Sequence, residues 1–506
     1  MTLVSRVLGL VRDVVMARLL GASAGADAFF VAFRIPNFLR RLFGEGAFSQ
    51  AFVPVLSEYR AQRTHAEAKE LVDHVAGSLG LVLFIITAVA VVAAPLVIMV
   101  FAPGFVDHGS KYELTVAMTR IMFPYLLFIS LTAMAGGILN SYGHFAVPAF
   151  APVFLNLCLI AAVLWGAPYF EQPVMALAWG VFIAGVIQLL SQFPSLARIG
   201  LLPRPRLGKT IEGVQRIKQL MLPALFGSSV MQINLLFDTL IASFLVTGSV
   251  SWLYYSERLV EFPLGVFGIA LATAVLPNLS RKHAETDPAA FSRTLDWSLR
   301  MVFLVSVPAA LGLIVMAEPL IIAFFNYGEF TAHDVQMSRL ALIASSLGLL
   351  AFILVKVLVT GFYARQDLKT PVRIGIIAMV SNMVLNVLIV VPLLWLDAPG
   401  PHMGLALATT ASSYINAALL YRRLRRDQIY QPLPGWGKWL LQLLVGSVAM
   451  TAILWWAMPV VDVWRGWGWG MRGGMAVLFT MLGGATFVAG LWISGVRMAQ
   501  IRSGKA

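Results

Sequence analysis

Asp27-Ala28-Phe29-Phe30-Val31-Ala32-Phe33-Arg34-Ile35-Pro36-Asn37-Phe38-Leu39-Arg40-Arg41 runs on into Leu42-Phe43-Gly44-Glu45-Gly46-Ala47-Phe48, and this stretch decides the fold. It is apolar enough for a bilayer, yet it carries five ionisable side chains. The stretch before it, 3–20, adds Arg6, Arg12, Asp13 and Arg18. Each ionised group at the centre of a bilayer costs about 2.5–3.5 kcal/mol on insertion scales. Charges kept at that cost belong in a water-filled chamber rather than in lipid, and a surplus of arginine suits an anionic cargo.

The spacing supports this reading. Asp27, Arg34, Arg41 and Glu45 are separated by seven, seven and four residues. At about 100° per residue they fall on one helical stripe. Arg6 and Asp13 share a face of the first span by the same spacing. Arg40 lies off the stripe on an ideal helix, and Pro36, Gly44 and Gly46 are expected to break the second span and re-aim it.

Composition generalises the membrane reading to the whole chain. Of the 506 residues, 59% are hydrophobic and only 12% charged, where soluble domains carry about 25% charged residues. Mean hydropathy is +0.82. A span takes about 20 apolar residues. On that basis the chain is expected to be an all-α polytopic membrane protein of about fourteen helices, near 3–20, 26–57, 72–102, 114–140, 149–166, 173–197, 217–246, 250–280, 298–325, 336–363, 373–396, 402–421, 436–458 and 470–496. The intervals hold turn chemistry such as Ala102-Pro103-Gly104 and Asp397-Ala398-Pro399-Gly400-Pro401.

Basic residues alternate from side to side. With the N-terminus inside, inner loops hold clusters such as Arg60-Arg63-Lys69, Arg204-Arg206-Lys209 and Arg422-Arg423-Arg425-Arg426, while the outer loops hold little beyond Lys111, Arg465 and Arg472. The positive-inside rule then puts both termini in the cytoplasm. It accounts for much of the net charge of +13 without nucleic acid as a partner. The single cysteine, Cys158, forms no internal disulfide. The first span is interrupted by arginines and lacks a small-residue cleavage site, so no cleavable signal peptide is expected.

The chain also repeats itself. Val53-Pro54-Val55-Leu56-Ser57 resembles Leu276-Pro277-Asn278-Leu279-Ser280, and Gly137-Ile138-Leu139-Asn140 … Pro148 resembles Gly361-Phe362-Tyr363-Ala364 … Pro371. Pro54 and Pro277 are separated by the same stretch of chain as Pro148 and Pro371. This common offset predicts two parallel six-helix repeats, an N-lobe at 1–200 and a C-lobe at 212–424, joined by a linker at 201–211. The last two spans, within 436–496, fall outside the duplication. Two similar lobes are the plan of an alternating-access transporter.

The second repeat has its own intramembrane charges. Glu257, Arg258 and Glu261 lie close together in span 8, Asp238 lies in span 7 and Lys356 in span 10. Arg6, Arg12, Arg40 and Arg258 are expected to bind a phosphate-bearing head group, since guanidinium presents a planar, permanently charged fork. Asp13, Asp27, Arg34, Glu45 and Glu261 are expected to orient them or to gate the cavity. Arg18, Arg60 and Lys356 read instead as side chains that snorkel to the interface. Asp238, Asn382, Asn386 and Thr410 offer hard oxygen ligands to a cation, although such residues also serve as ordinary interhelical glue.

Several motifs resemble one family. Ser5-Arg6-Val7-Leu8-Gly9 … Arg12-Asp13, Asp27-Ala28-Phe29-Phe30, Pro36-Asn37 … Arg40-Arg41 … Glu45-Gly46-Ala47-Phe48-Ser49-Gln50-Ala51-Phe52-Val53-Pro54, Glu257-Arg258-Leu259 … Glu261-Phe262-Pro263 … Gly265 and Gly361-Phe362-Tyr363-Ala364-Arg365-Gln366-Asp367 are similar to the MurJ (MviN) lipid II flippases. That family belongs to the multidrug/oligosaccharidyl-lipid/polysaccharide exporter superfamily, and its members usually begin upstream of Met1. The resemblance implies a transporter that moves lipid II, the undecaprenyl-pyrophosphate-linked disaccharide-pentapeptide precursor of peptidoglycan, from the cytoplasmic to the periplasmic leaflet of the bacterial inner membrane. It implies Arg6, Arg12, Arg40 and Arg258 as the substrate-binding cations of a central cavity. Asp27, Glu45 and Glu261 would line that cavity or its gates, and spans 13 and 14 would form a groove for the lipid tail. No cofactor or metal is expected, and the partners are lipid II and membrane lipids around a monomer. The cycle is expected to couple to the membrane potential or to a monovalent cation.

Other classes fit less well. A membrane glycosyltransferase needs acids placed for metal or base chemistry, and the chain has no D-x-D pair and no His cluster. A cation-coupled drug exporter favours an acidic cavity over an arginine-rich one. A flippase for another lipid-linked oligosaccharide is the nearest alternative.

Overall fold

Several helices begin where the chain supplies a side-chain cap. The computed structural model describes residues 2–41, 48–208, 211–285 and 287–497, and no strand occurs among them. Ser23 opens the second helix by accepting a hydrogen bond from the Ala26 amide. Thr64 and Glu67 form a reciprocal capping box, and so do Thr331 and Asp334, each satisfying donors that a helix start leaves unpaired.

The chain divides into two compact units, Met1–Ser251 and Trp252–Ala506. The first holds α1 (Thr2–Leu20), α2 (Ala24–Arg40), α3 (Phe48–Gln62), α4 (His65–Val92), α5 (Ala94–Phe101), α6 (Gly109–Met122), α7 (Tyr125–Ser141), α8 (Ala146–Ala161), α9 (Met175–Arg198), α10 (Glu212–Ser243) and the first turn of α11 (Ser249–Pro263). The linker expected at 201–211 lies inside this unit. The second unit holds the rest of α11, α12 (Ile269–Ala284), α13 (Pro288–Val315), α14 (Ala317–Phe324), α15 (Ala332–Leu347), α16 (Leu349–Tyr363), α17 (Lys369–Trp395), α18 (Met403–Arg426), α19 (Trp436–Ala457), α20 (Val461–Gly466) and α21 (Trp469–Ile493).

Among the described residues, eleven helical segments are long and apolar enough to cross a membrane. The three other expected spans, at 3–20, 26–57 and 217–246, are helical as α1, as α2 with α3, and as α10. The first two owe their low apolarity to the charged residues that single them out. The chain is an all-α polytopic membrane protein.

Helix boundaries repeat with the sequence. The starts of α4 and α13, of α5 and α14, of α6 and α15, and of α8 and α17 are all separated by the offset of the proline pairs. Turn handedness repeats too. Gly143 has φ +82° and Gln366, its counterpart at that offset, has φ +60°. Glycine takes this left-handed region without penalty, and glutamine pays about 1–2 kcal/mol for it.

A buried aspartate anchors the segment that follows the last helix of each repeat. Asp73 on α4, 3% exposed, accepts the Arg204 amide at 2.7 Å and pairs with Lys69. Its backbone carbonyl accepts the Arg206 amide at 3.0 Å. Gly77 allows this approach, because a Cβ there would stand 2.2 Å from the Arg206 carbonyl oxygen. Asp296 on α13 occupies the matching position of the second repeat and is fully buried. It accepts the Tyr430 hydroxyl at 2.7 Å, the Trp436 indole N–H at 2.8 Å and the Leu433 amide at 3.1 Å. Arg300 binds it at 2.9 Å and donates onward to the Pro434 carbonyl at 3.0 Å. Burial and then the bond to Asp296 push the Tyr430 phenol above its ordinary range.

The C-terminal pair packs through small residues. Gly446 on α19 meets Gly490 on α21, where a Cβ on Gly490 would fall 2.8 Å from the Gly446 Cα. Close backbone approach of this kind drives helix association where lipid removes the hydrophobic term. Arg472, 8% exposed, ties the pair to the segment after α14 by donating to the carbonyls of Asn326 at 2.8 Å, Trp464 at 3.0 Å and Arg465 at 2.7 Å.

Candidate functional site

Within the first unit, α1 packs on α8, and α2 packs on α6 and α10. These contacts fix the expected charged residues one by one.

Arg12 is only 8% exposed. Its Nε and Nη2 reach Asp13 Oδ1 at 2.9 and 2.6 Å. Its Nη1 reaches Asn156 Oδ1 on α8 at 3.1 Å. The Asn156 amide group in turn donates from Nδ2 to the Ser5 carbonyl at 3.0 Å. The guanidinium is thus held from two sides, by a carboxylate of its own helix and by a neutral amide of another. Arg6 is half-buried earlier on α1, and Arg18 near the end of that helix is exposed. Asp13 is engaged by its neighbour Arg12 in addition to sharing a face with Arg6.

Asp27 is 1% exposed and holds a junction together. Lys111 Nζ lies 2.9 Å from its Oδ2, and the Gly248 amide 2.8 Å from the same oxygen. Oδ1 accepts the Ser251 amide at 3.0 Å and its hydroxyl at 2.7 Å. Lys111 also stands 4.0 Å over the Phe105 ring. This carboxylate therefore binds the start of α2 to α6 and to the turn between α10 and α11. The other stripe residues diverge from it. Arg34 is half-buried and donates to the Thr239 hydroxyl on α10 at 2.7 Å. Arg40 is half-buried in the last turn of α2, with its Nε 2.9 Å from Asn37 Oδ1, and Arg41 is exposed. Glu45 lies outside the described residues, as do Gly44 and Gly46.

In the second unit Arg258 stands on α11. Its Nη1 is 2.7 Å from Glu261 Oε2 and its Nη2 is 3.0 Å from the Tyr254 hydroxyl. The guanidinium also lies 4.7 Å from the centroid of the Tyr254 ring. Glu261 is exposed and Glu257 half-buried. The pair sits just before a turn of π-helix at Leu264–Gly268, the kind of irregularity that collects at functional sites.

The residues expected around a cation divide between the units. Asp238, on α10, is half-buried in the first. Asn382 and Asn386 are fully buried on α17 in the second. Asn382 donates to Thr409 at 3.3 Å, and Thr410 donates to the Ala344 carbonyl at 2.9 Å. Both are helix-to-helix bonds. Among the described residues no group of three or more His, Cys, Asp or Glu is placed to hold a metal ion. Lys356 is half-buried on α16. An apolar groove of about 590 Å3 runs along α21, lined by Thr480, Met481, Gly484, Ala485, Val488 and Trp492.

Sequence reasoning singled out Arg12 and Asp27 but missed the residues that hold them. Asn156 is a single polar residue within an apolar run, and Thr239 and Ser251 stand beside other polar residues, so each gives a weak signal. Lys111 stands at the mouth of a span, where it reads as a loop charge. Asp73 and Asp296 share the offset of the duplication, and that coincidence was the available clue.

Comparisons with known proteins agree with the motifs. The family model for lipid II flippase MurJ matches residues 16–467. A protein of Vibrio cholerae serotype O1, described as a probable lipid II flippase MurJ, is 48% identical over 99% of this chain and 96% of its own length. A solved lipid II flippase MurJ in an inward closed conformation superposes with a TM-score of 0.81 at 26% identity, covering 97% of both chains. An inward-facing multidrug transporter of the MATE family in the MOP superfamily shares the fold, with a TM-score of 0.66 at 16% identity over 84% of this chain and 95% of its own.

Proposed function

The chain belongs to the MurJ family of lipid II flippases, and from that premise we propose that it carries lipid II from the cytoplasmic to the periplasmic leaflet of the bacterial inner membrane by alternating access. It is a transporter rather than an enzyme. The full-length match to this family carries the reading. The chemistry fits it, because lipid II bears a pyrophosphate that permanently charged, pre-oriented guanidinium groups bind well.

Arg6, Arg12, Arg40 and Arg258 are assigned to the pyrophosphate. The two-sided hold on Arg12 and the Tyr254–Glu261 hold on Arg258 support this, since a pre-oriented fork loses less entropy on binding. Asp13, Arg34 and Glu261 keep such side chains in place, and Glu45 is assigned to the same cavity. Asp27 is assigned to a gate: four donors converge on its one carboxylate, so their release would free the start of α2 as a unit. The groove along α21 is assigned to the isoprenoid tail. The protein works as a monomer with both termini in the cytoplasm, and the membrane potential or a monovalent cation drives the cycle. Asp238, Asn382, Asn386 and Thr410 are the candidate ligands of that cation.

Arg12→Ala, Arg40→Ala and Arg258→Ala are each expected to abolish rescue of a flippase-depleted strain at normal membrane levels of protein. Full rescue by all three would overturn the assignment of these residues. Depletion of the protein itself should trap lipid II in the inner leaflet, and unchanged accessibility of lipid II at the outer surface would overturn the function.

A further inference from the structure

We propose that Asn156 is the positioning residue that sets the charge of the Arg12 site, and that it must be a neutral amide for the site to take a diphosphate. The proposal rests on the assignment of Arg12 to the substrate. It follows from the burial, the hydrogen bonds and the charge of one cluster within the first unit.

Asn156 lies on α8 and is 5% exposed, so its two polar atoms are committed to the contacts they make there. Its oxygen faces a donor, Arg12 Nη1, at 3.1 Å, and its nitrogen faces an acceptor, the Ser5 carbonyl, at 3.0 Å. The two partners fix the amide's orientation, because the flipped group would set NH2 against guanidinium. Only a side chain with an acceptor and a donor on one short fork can bridge them, and Asn supplies both.

The second consideration is charge. Arg12 already pairs with one carboxylate, Asp13, at 2.6 Å. A second carboxylate at the Asn156 position would still accept from the guanidinium, but it could not donate to the Ser5 carbonyl. It would also add a negative charge to the cluster and weaken its attraction for a diphosphate in a low-dielectric setting. An alanine would keep the charge but release one side of the fork. The amide alone anchors Arg12 to α8 without adding to the negative count. The spacing of Arg6, Arg12 and Asp13 does not reveal this, because Asn156 is 144 residues from its partner.

The test compares purified wild type, Asn156→Ala, Asn156→Asp and Arg12→Ala in lipid nanodiscs, with lipid II as the probe. Binding is measured across a salt series, and melting temperature reports folding. Asn156→Asp is expected to fold, melting somewhat below the wild type because the bond to the Ser5 carbonyl is lost, and to bind about tenfold more weakly with a shallower salt dependence. Asn156→Ala should lose about threefold and keep the wild-type salt slope. A merely structural role would move melting and leave the salt slope alone. Wild-type binding by Asn156→Asp, or equal losses in the two variants, would overturn the proposal. Should the aspartate variant fail to fold, wild-type binding by Asn156→Ala would overturn it by itself. Wild-type binding by Arg12→Ala would instead remove the assignment of Arg12 on which the proposal stands.

Discussion

At the scale of single residues, the charges that make this sequence unusual fall into two kinds. Arg12 and Arg258 are held by neighbours that leave a cation oriented, whereas Asp27 and Lys111 are spent on each other. A buried ion pair contributes little net stability, but removing one partner strands the other. Lys111→Met should therefore cost about 3–5 kcal/mol, seen as a large drop in melting temperature in detergent. Asp27→Asn combined with Lys111→Met should recover much of that loss, because no buried charge is left alone. A double variant no more stable than Lys111→Met would show that the three other hydrogen bonds to Asp27, rather than the ion pair, hold the junction. The sequence exposes Asp27 because a carboxylate in an apolar run is conspicuous. It conceals Lys111 because a lysine at the start of a span has the same appearance whether it meets solvent or a partner 84 residues away.

At the scale of elements, the duplication was legible through prolines and glycines, and the starts of α4, α5, α6 and α8 recur at the same offset in the second repeat. The anchoring aspartates were not, since each is one acidic residue near the end of a span, where charge is unremarkable. Their partners differ in a way that predicts unequal roles. Asp73 is served by Lys69, 23% exposed, and by Arg206, 59% exposed. Water can take over from both. Asp296 is served by Arg300, 8% exposed, and by the buried Tyr430. Asp296→Asn should therefore cost about 3–5 kcal/mol, since it leaves the Arg300 cation buried without its carboxylate. Asp73→Asn should cost only about 1–2 kcal/mol. Thermal unfolding of the two variants checks the ranking. Equal losses would mean that the exposed cations at Asp73 are as indispensable as the dry ones at Asp296.

At the scale of the whole molecule, the balance of free charge decides which face of the membrane each loop meets. The distribution of basic residues along the chain supplies the expectation, and their contacts sharpen it. Of the three basic residues assigned to the outer side, Lys111 is buried against Asp27 and Arg472 is buried among backbone carbonyls. Arg465 faces Glu318 and Asp462, each at 3.7 Å. The loops assigned outside therefore present almost no uncompensated positive charge. Among those assigned inside, Arg422, Arg425 and Arg426 remain exposed near the end of α18. Only such exposed cations can be held back by the cytoplasmic leaflet during insertion. A single long helix, α19, separates Arg425 from Asp462 on α20, so the two positions are expected on opposite sides. Because Cys158 is the only cysteine in the chain, Cys158→Ser gives a clean background for Arg425→Cys and Asp462→Cys. An impermeant maleimide should label position 462 in right-side-out spheroplasts and position 425 only in inverted vesicles. The reverse pattern would place the basic loops outside, and the loading step of the cycle would then face away from a precursor made in the cytoplasm.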